Sequence, residues 1–416
     1  MRIMHWISVG ISDLRALVKM LRSRSRARAY RRGIGVVQGQ MPWSDRGYEV
    51  AIYFADQPRN MYQIRQWYEP FLAFAQRHPT VIITRSSKTT LVLQEECPLD
   101  VQYCMRITDL ERFVAAQERL RLVFYVNQNR SNLQMLGFHR PAHVHVNHGE
   151  SDKVSMVSNA LKAYDRVFIA GPAARDRILS RLFSFPAEHL VEAGRPQIDV
   201  PVPGPVLPED NRTVVLYAPT WEGDRPGMTY SSILSHGQLL VNALLSRPDV
   251  RLIFRPHPRT GTYDRAYRHA LHEIERAIAH ANERDPGAAH LIDTESRFGW
   301  QTKAADLCVC DISAVAFDWL ATGKPFLITE PVSGEATVQH EGIVAEVPLL
   351  SAARAGAVWQ ELAVAGRSEN LERMRELCAY HYGDTTPGAS MERFLTVSER
   401  VWSDRDAQIR VREDHA

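Results

Sequence analysis

Apolar positions along this chain follow two alternating periods. Short runs rich in Val, Ile, Leu, Phe and Tyr are each followed by stretches whose apolar residues recur three or four positions apart. The first pattern predicts half-buried or buried strands and the second predicts helices packed on them. In the first half, strands are expected at 49–54, 80–84, 101–107, 120–127, 142–147 and 166–170. Helices are expected at 59–77, 109–119, 154–164 and 172–182, with Pro70 placed to kink or split the first. A stretch carrying Pro201, Pro203, Pro205 and Pro208 interrupts the alternation and reads as a linker. The pattern then resumes, with strands at 213–218, 250–255, 289–292, 307–310 and 326–329. Helices are expected at 231–246, 263–282, 297–303, 314–322, over most of 351–378, and at 391–404. Repeated strand–helix units predict parallel sheets covered by helices on both faces. The resulting division is 1–32, 33–199, a linker at 200–212, 213–390 and a last helix with its tail at 391–416. The charged end, 406–416, is expected to fray.

The stretch from Asp306 to Thr329 is the most informative. An apolar run, Leu307 to Cys310, is broken by Asp311-Ile312-Ser313. Ser313 stands where a helix N-cap belongs, and Gly323-Lys324-Pro325 ends the helix before the next strand. A parallel strand that ends in Asp-x-Ser at a helix start collects a carboxylate, a hydroxyl and free backbone N–H groups at one point. That suits a phosphate and its attached sugar, although Asp-x-Ser also caps ordinary helices.

Other strand ends carry polar groups of the same kind. The strand at 142–147 runs into His148-Gly149-Glu150-Ser151-Asp152-Lys153. His148 can accept a proton near neutral pH and is a candidate general base. His143 and His145 share the strand, and a structural role for any one of the three is the plain alternative. The strand at 213–218 leaves through Pro219-Thr220-Trp221, where Thr220 can donate to a phosphate and Trp221 offers a stacking face. The strand at 250–255 ends in Arg255-Pro256-His257-Pro258. The prolines hold His257 extended beside Arg255, as a site for a diphosphate would require.

Composition adds one asymmetry. The 416 residues sum to a net charge of +2, yet residues 1–32 hold nine Lys and Arg against the single acid Asp13. Ile7, Ile11, Leu14, Leu17, Val18 and Leu21 form one stripe there, flanked by Arg15, Lys19, Arg22 and Arg26. This is the pattern of a basic amphipathic helix lying on an anionic membrane surface. A helix packed on the protein body, or a nucleic-acid arm, are the other readings. Tyr30 is the only aromatic residue in the basic run, which speaks against single-strand binding. No apolar run is long enough to span a membrane, and the sequence MRIMHWISVGISDL lacks the features of a secretory signal. The five cysteines show no zinc-ligand spacing, and their odd number fits a reducing compartment. Cys308 and Cys310 are expected on one face of a buried strand.

Five stretches together resemble one family, the CDP-glycerol glycerophosphotransferases that build teichoic-acid-like polymers and glycerophosphate-containing capsules. They are Asn147-His148-Gly149, Gly194-Arg195-Pro196-Gln197-Ile198-Asp199, Leu216-Tyr217-Ala218-Pro219-Thr220-Trp221, Arg255-Pro256-His257-Pro258, and Asp311-Ile312-Ser313-Ala314 with Phe317-Asp318. They occur in the family's order, and the loop from Gly383 to Ser390 is similar to the family's C-terminal end. The resemblance implies a GT-B α/β fold, two Rossmann-like doubly wound domains facing a cleft, with the basic N-terminal helix as a membrane anchor. It implies a metal-independent enzyme, without a cofactor, peripheral on the inner face of the cell membrane. Its donor would be CDP-glycerol or a related CDP-alditol, and its acceptor a lipid-linked or glycan hydroxyl. His148 and His257 take the catalytic positions, and Thr220, Arg255, Asp311, Ser313 and Asp318 the substrate-binding ones. Asp318 also suits pairing with a neighbouring helix. Residues 150–153 differ from the family's small or apolar residues, Ile312 replaces a tyrosine and Ala314 a second serine. Acceptor and alditol are therefore open. A GT-B glycosyltransferase or epimerase using a UDP-sugar is the alternative.

Overall fold

The computed structural model describes residues 47–149, 157–223, 227, 229–294, 298–332, 336 and 342–415. The amphipathic segment at 5–32 and the residues Glu150 to Lys153 lie outside these. Strands β1 (Val50–Phe54), β2 (Thr80–Thr84), β3 (Asp100–Tyr103), β4 (Leu122–Tyr125), β5 (Ala142–His145), β6 (Arg166–Ile169) and β7 (Leu190–Glu192) form one sheet in the order β3-β2-β1-β4-β5-β6-β7. Strands β8 (Thr213–Ala218), β9 (Val250–Phe254), β10 (Leu291–Ile292), β11 (Leu307–Cys310), β12 (Phe326–Thr329) and β13 (Leu349–Leu350) form a second, in the order β10-β9-β8-β11-β12-β13. Every pairing is parallel; β1, for example, sets Val50 against Thr80 on one side and Leu122 on the other. Each sheet grows outward from its first strand, then crosses back to grow from the other side. The direction reverses between β1 and β4 and between β8 and β11, the switch points where doubly wound sheets open a crevice.

Both faces of each sheet are dry. In β1, Val50, Ile52 and Phe54 join Phe71, Phe74 and Phe124 on one face, while Ala51 and Tyr53 join Val81, Phe113 and Tyr125 on the other. In the second sheet, Leu216, Cys308, Cys310 and Ile328 share one face, and Val215, Tyr217, Val309 and Leu327 the opposite one. Cys308 and Cys310 thus lie on one face of a buried strand, and all five cysteines are free and buried. Burial on both sides explains why these strands read as continuous apolar runs.

Several expected elements differ. The helix expected at 59–77 comes in pieces, Pro58–Asn60, Tyr62–Arg65 and Tyr68–Ala75, and Pro70 sits in the first turn of the last, where its missing N–H costs nothing. The strand expected at 101–107 stops at Tyr103, and Ile107 opens a helix instead. The helix Ser87–Glu96 has no strong apolar stripe to announce it. Ser86 starts it by accepting the N–H of Thr89, and Leu93 is its buried aliphatic anchor. Within 157–164 only a short 3-10 turn, Asn159–Ala163, is formed.

The largest correction is at the end of the chain. The last helix runs from Ala389 to Asp414 rather than fraying after 406. It follows the second sheet in sequence but packs on the first. Phe394 is fully buried against Trp67, Phe71, Phe124 and Phe168. Arg121 pairs with Asp406 at 2.6 Å, and Ile409 is buried nearby. These contacts fix the last turns that composition alone suggested were loose. Truncating Phe394 to Ala should cost about 3–5 kcal/mol in urea unfolding, whereas Val411→Ala, at an exposed position of the same helix, should cost less than about 0.5 kcal/mol.

Candidate functional site

The chemistry-bearing residues sit on loops leaving the carboxyl ends of parallel strands. At the end of β5 three histidines occupy three environments. His143 is buried, with its ring nitrogens bonded to the Tyr125 hydroxyl (2.8 Å) and the Phe138 carbonyl (2.7 Å). His145 is buried against the Tyr164 ring, and burial pushes its imidazole down to about 3, so it stays neutral. His148, past the strand end, is half-buried. Its ring meets the edge of Tyr62 at 5.8 Å. Asn147 just before it adopts the left-handed backbone conformation, φ 56°. The Asn147 side chain accepts the His148 N–H at 2.9 Å, and its carbonyl accepts the Trp67 indole N–H at 2.6 Å. The turn that carries His148 is therefore fixed from two sides.

In the second half, the loops after β8 and β9 form one unit. Glu222 is buried and accepts backbone N–H groups of Gly261 (2.9 Å) and Tyr263 (2.9 Å) from the neighbouring loop. Burial pushes its carboxyl up, and those N–H bonds more than offset it, so its pKa falls below the ordinary value. Trp221 stacks on His257 with ring centres 6.2 Å apart, and the Arg259 guanidinium lies over the indole at 3.8 Å. His257 Nδ1 accepts the backbone N–H of Arg259 at 3.1 Å. In the neutral ring this places the proton on Nε2, a donor suited to a phosphate oxygen. Arg255 is largely buried and pairs with Asp293, which also accepts from Gln301 at 2.5 Å. Arg255 is thus held in place but partly neutralised.

Asp311 and Ser313 follow β11. Asp311 is fully buried. One of its oxygens accepts the N–H groups of Thr220 (2.7 Å) and Ser232 (3.1 Å), and the other accepts the Thr329 hydroxyl at 2.5 Å. It ties the β8, β11 and β12 ends together, and the Thr220 carbonyl is held in turn by the Ser231 hydroxyl at 2.8 Å. Burial raises the Asp311 carboxyl to about 6, against the pull of these donors. Ser313 is the N-cap of the helix Ala314–Leu320, accepting the Val315 N–H at 3.3 Å.

Asp318, on that helix, faces the other half of the molecule. Its Oδ1 lies 2.5 Å from Nη2 of Arg195, which is itself 7% exposed. The other edge of the guanidinium abuts the His148 turn: a Cβ added to Gly149 would stand 3.9 Å from Arg195 Nη1. Arg195 lies in the Gly194–Asp199 motif, but nothing in the sequence around it, or around Glu222 and Asp293, points to a role. Each acts through a partner distant along the chain, so no local spacing marks it. Among the described residues no cluster of His, Cys, Asp and Glu is arranged to hold a metal ion. A cavity of about 500 Å³ is lined by Glu346, Glu369, Glu372, Arg373, Glu376 and Tyr380, and none of the candidate residues borders it.

A family model described as CDP-glycerol:poly(glycerophosphate) glycerophosphotransferase matches residues 117–332, just over half of the chain. No curated protein matches in sequence. Among solved structures, a variant of the wall teichoic acid polymerase TagF is similar with a TM-score of 0.57 at 13% identity, over 88% of this chain and 90% of that one. A protein assigned as a UDP-N-acetylglucosamine 2-epimerase from Listeria monocytogenes gives 0.55 at 12% identity, over 86% and 98%. A glycosyltransferase from Rickettsia africae gives 0.50 at 12%, also over 86% and 98%. At such identities the likeness shows the fold alone, two parallel-sheet α/β domains of GT-B type.

The Asp311 knot has a measurable pH signature. Its folded carboxyl, at about 6, lies above the ordinary 3.8, so the folded state holds the proton more tightly. That contribution is complete below the ordinary value and is lost as pH rises through 6; a shift of this size corresponds to about 3 kcal/mol at most. In Asp311→Asn the side-chain oxygen can accept both N–H groups while its amide donates to Thr329. Urea unfolding should show wild type losing stability relative to this variant as pH rises from about 5 to about 7.5. A difference that stays flat over that range would refute the raised carboxyl. Asp311→Ala orphans the N–H groups of Thr220 and Ser232 and should cost about 2–5 kcal/mol.

Proposed function

The chain belongs to the CDP-glycerol:poly(glycerophosphate) glycerophosphotransferase family, and from that premise we propose that it transfers glycerol phosphate, or a related alditol phosphate, from a CDP-activated donor to a hydroxyl of a membrane-linked or polymer acceptor, releasing CMP. The observation that supports this reading is where the family match falls. Residues 117–332 contain His148, Thr220, Arg255, His257, Asp311, Ser313 and Asp318. Six of these leave the carboxyl ends of β5, β8, β9 and β11, and Asp318 lies on the helix that Ser313 starts. The fold likeness does not choose the donor, because the epimerase and TagF are about equally similar. The family does.

In the proposed reaction His148 takes the proton of the acceptor hydroxyl. The oxygen attacks the β-phosphorus of the donor, the bond from that phosphorus to the bridging oxygen breaks, and the bridging oxygen leaves with CMP. Phosphoryl transfer asks for positioning and charge stabilisation more than for covalent help. Arg255, braced by Asp293, and His257, presenting Nε2–H, would bear on the diphosphate. Thr220 and Ser313 would contact the donor, and Asp311 would act by fixing Thr220. Because Arg255 and His257 are proposed to supply the aimed donors that meet the diphosphate, the reaction is expected to continue in a chelator.

The basic stripe at 5–32 is proposed to hold the protein on an anionic inner membrane surface, where a lipid-linked acceptor would be met. No helix of the described residues is long and apolar enough to cross a membrane.

The test is CMP release from CDP-glycerol by the purified protein, with and without a membrane fraction, set beside UDP release from UDP-sugars. Release from CDP-glycerol that rises with membranes is expected. Signal from a UDP-sugar and none from any CDP-alditol would replace this reading with a glycosyltransferase or epimerase. His148→Ala should lower turnover by about 10²–10⁴-fold while CDP-glycerol affinity stays within about threefold. Near-normal turnover would remove His148 from the mechanism.

A further inference from the structure

The ion pair between Arg195 and Asp318 joins the two halves of the molecule at the site. Arg195 belongs to the first half, on the stretch between β7 and the linker. Asp318 belongs to the second, on the helix that Ser313 starts. The two side chains are 8% and 22% exposed, so the pair is largely shielded from water. Burial pushes the Asp318 carboxyl up and the Arg195 guanidinium pulls it back. Stability gives no clear reason for such a pair. Desolvating two charges costs several kcal/mol, and apolar side chains in their place are often as stable or more so. What a buried charge-assisted contact of 2.5 Å does supply is direction. One guanidinium edge meets Asp318 and the other packs beneath Gly149, beside His148. The remaining contacts between the halves include a hydrogen bond from the Tyr380 hydroxyl to the Asp176 carboxylate (2.7 Å) and the close packing of the His381 carbonyl over Gly171. Neither of these carries a charge from one half onto the His148 turn.

We propose that Arg195 and Asp318 are positioning residues, a cross-domain strut that sets the His148 turn against the donor-side helix begun by Ser313. This rests on the transferase reading above. On that reading the attacking oxygen and the phosphorus are held by different domains. A displacement of about 1 Å between them costs roughly a hundredfold in rate while leaving each half-site intact. Asp318 therefore acts on the donor through the domain arrangement, not by touching it.

Four variants test this: Arg195→Lys, which keeps the charge but loses the planar guanidinium; Asp318→Asn, which keeps the shape but loses the charge; Arg195→Asp; and the exchanged pair Arg195→Asp with Asp318→Arg. The expected result for each single variant is a fall in kcat of about 10- to 100-fold with the KM and calorimetric Kd for CDP-glycerol within about threefold. The exchanged pair should recover about tenfold over Arg195→Asp alone. Single variants with turnover within about threefold of wild type would overturn the proposal, as would affinity for CDP-glycerol falling in step with kcat, which would make the pair a donor contact. A readout free of substrate separates this from failure of the transferase reading. All five native thiols are buried, so spin labels can be placed at Leu133→Cys and Leu239→Cys, exposed positions in the two domains and outside the site. Pulsed electron resonance should show a longer or broader interlabel distance in Asp318→Asn than in the otherwise native pair. An unchanged distribution overturns the strut even if the enzyme proves to use another donor.

Discussion

Asp199 decides how the two halves of this chain are joined. Its carboxylate accepts the N–H groups of Gly388 (2.9 Å) and Met391 (2.7 Å), at the start of the last helix. A carboxylate at a helix N-terminus satisfies donors that have no partner inside the helix and favours the positive end of its dipole. From that anchor the helix runs back over the first domain and buries Phe394 in its aromatic core. Arg393, one residue earlier, is threaded between Gly194 and Gly383 and donates to the carbonyls of Tyr382 (2.8 Å) and Asp384 (2.6 Å). Both glycines have positive φ and leave no room for a side chain there. The joint therefore binds the end of the first domain, the end of the second and the returning helix at one place. Arg195, four residues before Asp199, emerges from this joint with its backbone already committed, its carbonyl accepting the Ile198 N–H. The strut to Asp318 is built on the same piece of chain that fastens the domains.

Strand direction then determines where chemistry can gather. With every strand of a sheet parallel, all carboxyl ends exit along one edge, and the loops there are the ones free to vary. Among the described residues, several groups on that edge are tied down. Asp311 ties Thr220, Ser232 and Thr329; Glu222 ties the loop after β8 to the loop after β9; Trp67 and Asn147 fix the turn before His148. The Asp311 and Glu222 ties are buried carboxylates meeting backbone or side-chain donors, and they are costly to break because the orphaned groups have no water to turn to. Preorganisation of this kind suits a reaction in which placing groups, rather than making bonds to the protein, lowers the barrier.

Much of this could be read along the chain because it is local. The strands β1, β2, β6, β8, β11 and β12 follow from their apolar runs, and Ser313 follows from its place between a strand and a helix. The helix Ser87–Glu96 escaped because one buried leucine and a serine cap carry it, with no stripe to detect. The last turns after Asp404 escaped because their composition is that of a solvated tail; only Arg121 and the core beside Ile409 show otherwise. The site residues divide in the same way. Residue type and position at a strand end singled out His148, Arg255 and His257. Whether a carboxylate there turns outward to a ligand or inward to the backbone depends on distant partners. Asp311, expected at the donor, spends both oxygens on the protein, and the partner of Asp318 lies in the other domain.

The cationic groups near the cleft are consistently committed before any ligand arrives. Arg255 is paired with Asp293, Arg195 with Asp318, and Arg259 lies over Trp221. A site meant to collect a diphosphate by net positive charge would leave such groups uncompensated, and its affinity would then follow ionic strength closely. The acids beside Arg255 and Arg195 reduce long-range attraction and leave direction as a main resource: a guanidinium aimed by its acid, and an imidazole whose proton is assigned to Nε2 by the backbone N–H on its other nitrogen. Aimed donors discriminate between ligands by geometry, and they gain most where charge moves during reaction. Along the sequence, net positive charge is concentrated at 1–32, nine Lys and Arg against one acid. If the proposed function holds, charge for attraction and charge for chemistry are separated along the chain. On the proposed reading that separation lets an anionic surface hold the protein without competing for the groups that face the donor.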